Sequence, residues 1–197
     1  MMAMIDNITL VKAQKPFKQA LQADGRPFEY KGIIYSPKYS GGQVRHYMGI
    51  LKSLRIFIYP DEVYVCNSLH KYFHGNNFGD FYGSEMREAV EQLNDETGMS
   101  WNGACIRKIE YGCNVPANDI ATVNSLLSYK GKDYLPMHIK GKKYGAVCEF
   151  EDYKLKGYDK AFEVKQTAQI NLSLPKFRWE VAMKRMRPML SITGTTA

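Results

Sequence analysis

The stretch KYGAVCEFEDYKLKGYDK (Lys143–Lys160) decides how this chain folds. Apolar and polar residues alternate along it, and Glu151-Asp152 interrupts it near the middle. That reads as two strands joined by a turn, because a half-buried strand repeats every two residues and acidic turn formers break the run. Within the second strand, Tyr158 shares a face with Lys154, Lys156 and Lys160, and Asp159 points to the other. Two further runs have the same period. In CIRKIEYGCNV (Cys105–Val115), Glu110 shares a face with Lys108 and Asn114. In FRWEVAMKRM (Phe177–Met186), Phe177, Trp179, Val181 and Met183 form an apolar face expected to meet helices. Arg178, Glu180, Ala182 and Lys184 form the opposite one, and Pro188 ends the strand.

Outside these strands the pattern is mixed. A strand is expected near Ile5–Val11, within a less regular part at about 1–45, and YSPKYSGGQ (Tyr35–Gln43) reads as a loop. LRIFIY (Leu54–Tyr59) and VYVCNSLHKY (Val63–Tyr72) form a hairpin about Pro60-Asp61-Glu62. Ser84 is placed to cap a helix over about 84–97, with Met86, Ala89, Val90, Leu93 and Thr97 at helical spacing and Gly98 at its end. Asn118 is placed to cap a second helix, with an apolar stripe of Ile120, Val123, Leu126 and Leu127 and with Gly131 after its end. The expectation is a single α+β domain over 1–197, an antiparallel or mixed sheet with two helices packed on one face.

Composition narrows the function. The 197 residues suffice for a real core, and 45% hydrophobic content fits a globular chain. No apolar run approaches the roughly 20 residues of a membrane span, and the N-terminus lacks a signal-peptide pattern. The expectation is therefore a cytoplasmic protein with no membrane partner. Cys66, Cys105, Cys113 and Cys148 form no C-x-x-C pair and have no histidine at zinc-ligand spacing, so they read as reduced thiols. A net charge of +7 and 14 tyrosines suit a polyanion with exposed bases.

The chemistry lies on the strand faces. If the strands of Glu110 and Glu180 are neighbours, two carboxylates gather on one face. They would repel unless a divalent cation with oxygen ligands, Mg²⁺ or Mn²⁺, joined them. A tyrosine is a weak nucleophile until its proton is withdrawn, and lysines beside Tyr158 would favour its phenolate. Spacing alone also describes Glu110 and Glu180 as solvated residues paired with Lys108 and Arg178, Tyr158 as an exposed aromatic, and the lysines as a solvated face.

Several segments together carry a resemblance: NSLHKYFHGNN (Asn67–Asn77), IRKIEYGCNV (Ile106–Val115), SLLSYKGKDYLPM (Ser125–Met137), KGKKYG (Lys140–Gly145), KGYDK (Lys156–Lys160) and RWEVAMKRM (Arg178–Met186). In their order and spacing they resemble rolling-circle replication initiation proteins of Bacteroidetes plasmids, phages and mobile elements, from about Leu54 to Ala197. The resemblance implies a rolling-circle-initiator nuclease-like fold and a DNA endonuclease and strand transferase. A tyrosine nicks one strand at an origin, forms a 5′-phosphotyrosyl link and leaves a 3′-OH to prime synthesis. It implies Tyr158 as nucleophile, with Tyr153 the alternative, and Lys160 as support for the phenolate or phosphate. Glu110 and Glu180 would be ligands of Mg²⁺ or Mn²⁺, and Lys108, Lys154, Lys156, Arg178 and Lys184 would contact DNA. Its partners would be single-stranded or cruciform origin DNA and a host helicase or polymerase. The chain has no H-x-H; its histidines stand at 46, 70, 74 and 138. His70 and His74 are expected at a strand end and in a turn, too far apart to converge. Two departures are Gly157, where an apolar residue is expected, and the end at SITGTTA, where the family continues. The second suggests a truncated chain and an alternative function, an origin-binding or regulatory protein that no longer cuts.

Overall fold

The computed structural model describes residues 4–15, 18–116, 123–173 and 176–186. The chain groups into two compact units. Among the described residues, one holds 5–77 and 81–108, and the other Met4, 78–80 and those from Ile109 onward.

The first unit is built on strands β1 (Met4–Ala13), β2 (Phe28–Tyr30), β3 (Ile33–Ser40), β4 (Gln43–Leu51), β5 (Leu54–Ile58) and β6 (Glu62–Ser68), with helices α1 (Lys18–Gln22), α2 (Leu69–His74) and α3 (Gly83–Thr97). The strands lie in the order β1-β6-β5-β4-β3-β2, every neighbouring pair antiparallel. Alternation decides the core. In β5, Leu54, Ile56 and Ile58 are buried and Arg55 is exposed; in β6, Val63 and Val65 are buried. Leu69, Tyr72, Ala89 and Leu93 of the helices are buried as well. The turn after β4 is tied to both helices: Lys52 pairs with Glu96 at 2.8 Å and lies over the Tyr72 ring, whose hydroxyl donates to Glu96 at 3.0 Å.

Several local expectations change here. The part at 1–45 expected to be less regular carries β1, β2 and β3, and Tyr35–Gln43 is the β3–β4 hairpin, turning at Gly41-Gly42, and not a loop. Helix α3 begins one residue earlier than expected. Its first turn is closed by the Glu85 carboxylate, which accepts from the Tyr82 amide at 2.6 Å; Gly98 in the left-handed region ends it. The strand read to Tyr72 stops at Ser68, whose hydroxyl accepts from the Lys71 amide and caps α2.

The second unit contains β7 (Cys105–Pro116) from Ile109 onward, a short hairpin of β8 (Ser128–Tyr129) and β9 (Lys132–Asp133), then β10 (Leu135–Ile139), β11 (Lys142–Glu149), β12 (Tyr153–Asp159), α4 (Lys160–Ala168) and β13 (Lys176–Met183). Its sheet runs β10-β11-β12-β13-β7, again antiparallel throughout. The α+β class and the antiparallel sheet match the expectation; among the described residues four helices stand besides the helical turn at Val123, where two helices were expected. The start of the predicted second helix, with Asn118 and Ile120, lies outside the described residues. Of its stripe, Val123 is helical and buried, but Leu127 is exposed and Gly131 is a hairpin turn, with Lys130 and Gly131 both at positive φ. Pro188 also lies outside the described residues, and the last strand ends at Met183.

The apolar face of β13 finds its partners. Phe177 and Trp179 cluster with Val123, Leu126, Tyr134 and Ala146. Gly157 faces the same cluster. A Cβ there would lie 2.9 Å from Leu126 Cδ1, 3.0 Å from Phe177 Cζ and 3.1 Å from Trp179 Cζ3, so no apolar side chain fits where one was expected.

Candidate active site

The register of three strands assembles the site. Strand β13 lies between β12 and β7. It sets Lys156 beside Glu180 and Glu180 beside Gly112; one rung on, Tyr158 meets Arg178 and Arg178 meets Asn114. On the other side Ala182 separates Lys154 from Glu110. Glu110, Lys156, Tyr158 and Glu180 therefore share one face. Gly112 is required there: a Cβ would stand 2.3 Å from the Trp179 carbonyl oxygen and 3.0 Å from Glu180 Cγ. The absent side chain and the small Ala182 leave the space over which Lys156 reaches Glu110.

The polar groups form a connected network. Lys156 Nζ lies 2.9 Å from Glu180 Oε2 and 3.4 Å from Glu110 Oε2, so one ammonium joins both carboxylates. Tyr158 Oη donates to the other Glu180 oxygen, Oε1, at 2.5 Å. Arg178 Nη1 is 3.7 Å from that same oxygen, and its Nε donates to Asn114 Oδ1 at 2.8 Å. Lys160 Nζ pairs with Glu163 at 2.6 Å and lies over the Tyr158 ring. The Glu180 side chain is 3% exposed, Glu110 30%. Two cations and a phenol thus compensate one buried carboxylate, which would be costly alone.

Burial sets the titration of the site. It pushes the Tyr158 phenol far above its ordinary value of 10.0, and the Glu180 charge adds to this; Arg178 acts in the opposite direction. Lysines expected to favour the phenolate do not decide its state, because desolvation dominates. Burial disfavours the Lys156 ammonium, but Glu180 and Glu110 outweigh it and hold the pKa above its ordinary value. Tyr144, whose ring lies 5.9 Å from that of Tyr158, is also raised, by burial first and then by Glu163.

The other sequence-predicted residues fall in different places. Lys160 is not a strand residue: Asp159 caps α4 by accepting from the Phe162 amide, and Lys160 is its buried first residue. Arg178 is fully buried against Asn114 and Glu180, which withdraws it from any surface contact with DNA. Lys154 and Lys184 both pair with Glu149, at 3.0 and 2.9 Å. Lys108 is exposed in the part of β7 that belongs to the first unit. Tyr153, the alternative nucleophile, stands opposite Met183 and stacks on Phe150, on the face away from Glu180. His70 and His74 do converge, because α2 is a helix; their rings are 5.3 Å apart, His70 stacks on Phe81 and His74 pairs with Glu85 at 3.0 Å.

Sequence reasoning missed Asn114 as the Arg178 partner, Glu163 and Tyr144. Asp159 followed by a helix-forming run was the available signal for α4 and thus for Glu163.

Glu110 and Glu180 present oxygens to a single ammonium, the setting a divalent cation with oxygen ligands also takes. Among the described residues no group of three His, Cys, Asp or Glu could enclose a metal. Two carboxylates still suit Mg²⁺, which keeps waters and takes phosphate oxygens from a substrate.

No protein-family model and no curated protein matches the chain. Among solved structures it is similar to a rolling circle replication initiator protein from Geobacillus stearothermophilus. The two share 10% identity, and the match covers 95% of this chain and 76% of that one with a TM-score of 0.51. At that identity the likeness is one of fold: the chain has a fold similar to that of a rolling circle replication initiator.

Proposed function

We propose that this chain is a replication initiator that nicks one DNA strand at an origin through Tyr158. The observation that carries the reading is the 2.5 Å hydrogen bond from Tyr158 Oη to Glu180 Oε1, in a network that also holds Glu110 and Lys156. The fold similarity to a rolling circle replication initiator supports it.

Burial keeps the phenol protonated until a phosphodiester is in place, so a base must take its proton during attack. Glu180 Oε1 is already in hydrogen-bond contact and fills that role. Tyr158 Oη bonds to phosphorus, the P–O3′ bond breaks, the phenol proton passes to Glu180, and the released 3′ oxygen takes a proton from solvent. The product is a 5′-phosphotyrosyl link and a free 3′-OH. Lys156 swings from the carboxylates to the phosphate, where its charge offsets the developing negative charge. Mg²⁺ or Mn²⁺, when bound by Glu110 and Glu180, would polarise the phosphodiester. Lys154 and Lys184 would meet flanking phosphates.

The Lys156 bridge also supports a second reading. An ammonium already neutralises both carboxylates, as in a protein that binds an origin and no longer cuts. One assay separates the two. Single-stranded origin-like DNA is incubated with the protein and Mn²⁺, and a denaturing gel is read for a covalent adduct. An adduct lost in Tyr158→Phe supports nicking; binding with strong salt dependence and no adduct with any metal supports the second reading.

A further inference from the structure

We propose that the outer face of β4, β5 and β6 in the first unit binds single-stranded DNA. Bases would stack on His46, Tyr59 and Tyr64, and phosphates would meet Lys38, Arg55 and Arg107. The proposal rests on the DNA substrate proposed above but not on the cleavage chemistry.

Alternation puts one face of this sheet in the core and leaves the other half-open. Opposite buried Ile56 and Ile58, strand β5 presents Arg55 and Phe57 and continues to Tyr59; β4 presents His46 and Met48, and β6 presents Tyr64. The rings form a continuous row. His46 lies 5.5 Å from Phe57 and 4.7 Å from Tyr59; Tyr59 lies 5.2 Å from Tyr64; the Arg107 guanidinium stands 5.3 Å over Tyr64. Cations flank the row. Lys38 stands opposite His46 on β3, Arg55 is exposed on β5, and Arg107, 60% exposed, closes the far end. Glu62, the carboxylate at that end, accepts from the Tyr64 hydroxyl and lies 3.9 Å from Arg107. Burial first, and then Arg45 and Lys38, lower the His46 pKa, which keeps the ring neutral.

A hydrophobic protein partner does not need flanking cations, and a duplex conceals the faces of its bases. A row of flat rings between cations suits an unpaired strand, whose bases offer π-faces whatever their sequence and whose phosphates need countercharge.

The test uses the full chain, a fluorescein-labelled 20-nucleotide oligo-dT, EDTA and fluorescence anisotropy. Tyr59→Ala with Tyr64→Ala should weaken binding at least about tenfold. Tyr59→Phe with Tyr64→Phe should bind within about threefold of the parent, because stacking needs the ring and not the hydroxyl. Arg55→Gln should lower the slope of log affinity against log salt by about one. Circular dichroism identifies an alanine variant that has not folded, and in that case the Arg55→Gln slope decides. Ring-less variants that bind like the parent, an unchanged salt slope, a matching duplex that competes as well as the single strand, or no binding at all would overturn the proposal. The two readings fail separately. A failed adduct assay with ring-dependent binding removes only the cleavage reading. Adduct formation with ring-independent binding removes only this one.

Discussion

Two sheet faces present polar chemistry in opposite ways. On β7, β13 and β12 the charged groups are buried or half-buried and spend their hydrogen bonds within one network: Tyr158 on Glu180, Lys156 on both glutamates, Arg178 on Asn114. On β4, β5 and β6 the rings lie in a row, tilted or edge-on to one another, and Arg55 stays exposed. The first arrangement fixes geometry and protonation state, as a reacting group needs. The second leaves surface for a ligand and ties its rings into no buried ion network. Substitutions on the first face should therefore damage stability and chemistry together, and those on the second should damage binding alone.

The largest expected effect is on Glu180→Ala. It removes the buried carboxylate that Lys156, Arg178 and Tyr158 share, leaving Lys156 only Glu110 and Arg178 its Asn114 bond, and a broken buried pair costs about 3–5 kcal/mol. Urea unfolding measures it, and a loss as small as that of Arg55→Ala, expected to leave the midpoint nearly unchanged, would break the comparison. Tyr158→Phe removes one hydrogen bond to a charged group and should cost about 1.5–3 kcal/mol. Gly157→Ala drives a methyl against Leu126, Phe177 and Trp179 and should cost about 1–3 kcal/mol.

Titration sharpens the contrast further. Tyr158 has its phenol raised in the fold, foremost by burial, as have Tyr35 and Tyr72. Such a phenol contributes in full below the unfolded value near 10. Its contribution is lost as pH rises above that value, because the unfolded chain ionises first. Each such tyrosine should remove about 1.4 kcal/mol per pH unit above pH 10. Unfolding free energies between pH 8 and 11.5 check this, and the slope should be shallower in Tyr158→Phe. The smallest effect is expected at Lys184→Ala, whose partner Glu149 is a surface group shared with Lys154; the unfolding midpoint should not move.

The charged face was legible because period-two alternation is written in the residues themselves. Lys156 with Tyr158 and Glu180 with Arg178 followed from it directly. Which strands lie side by side did not: a register such as Lys156 against Glu180 depends on long-range pairing that no local pattern states. Short helices were the other blind spot. Helices α2 and α4 start from single capping side chains, Ser68 and Asp159, inside runs that otherwise read as strand. Those caps moved His70, His74 and Lys160 from the positions that alternation assigned. The full burial of Arg178 was hidden for a related reason, since its partner Asn114 comes from a neighbouring strand.

The most direct test of the account is the covalent adduct on single-stranded origin-like DNA with Mn²⁺, read on a denaturing gel for the parent, Tyr158→Phe and Tyr153→Phe. The expected result is an adduct in the parent and in Tyr153→Phe and none in Tyr158→Phe. An adduct that survives Tyr158→Phe would contradict the assignment of the nucleophile.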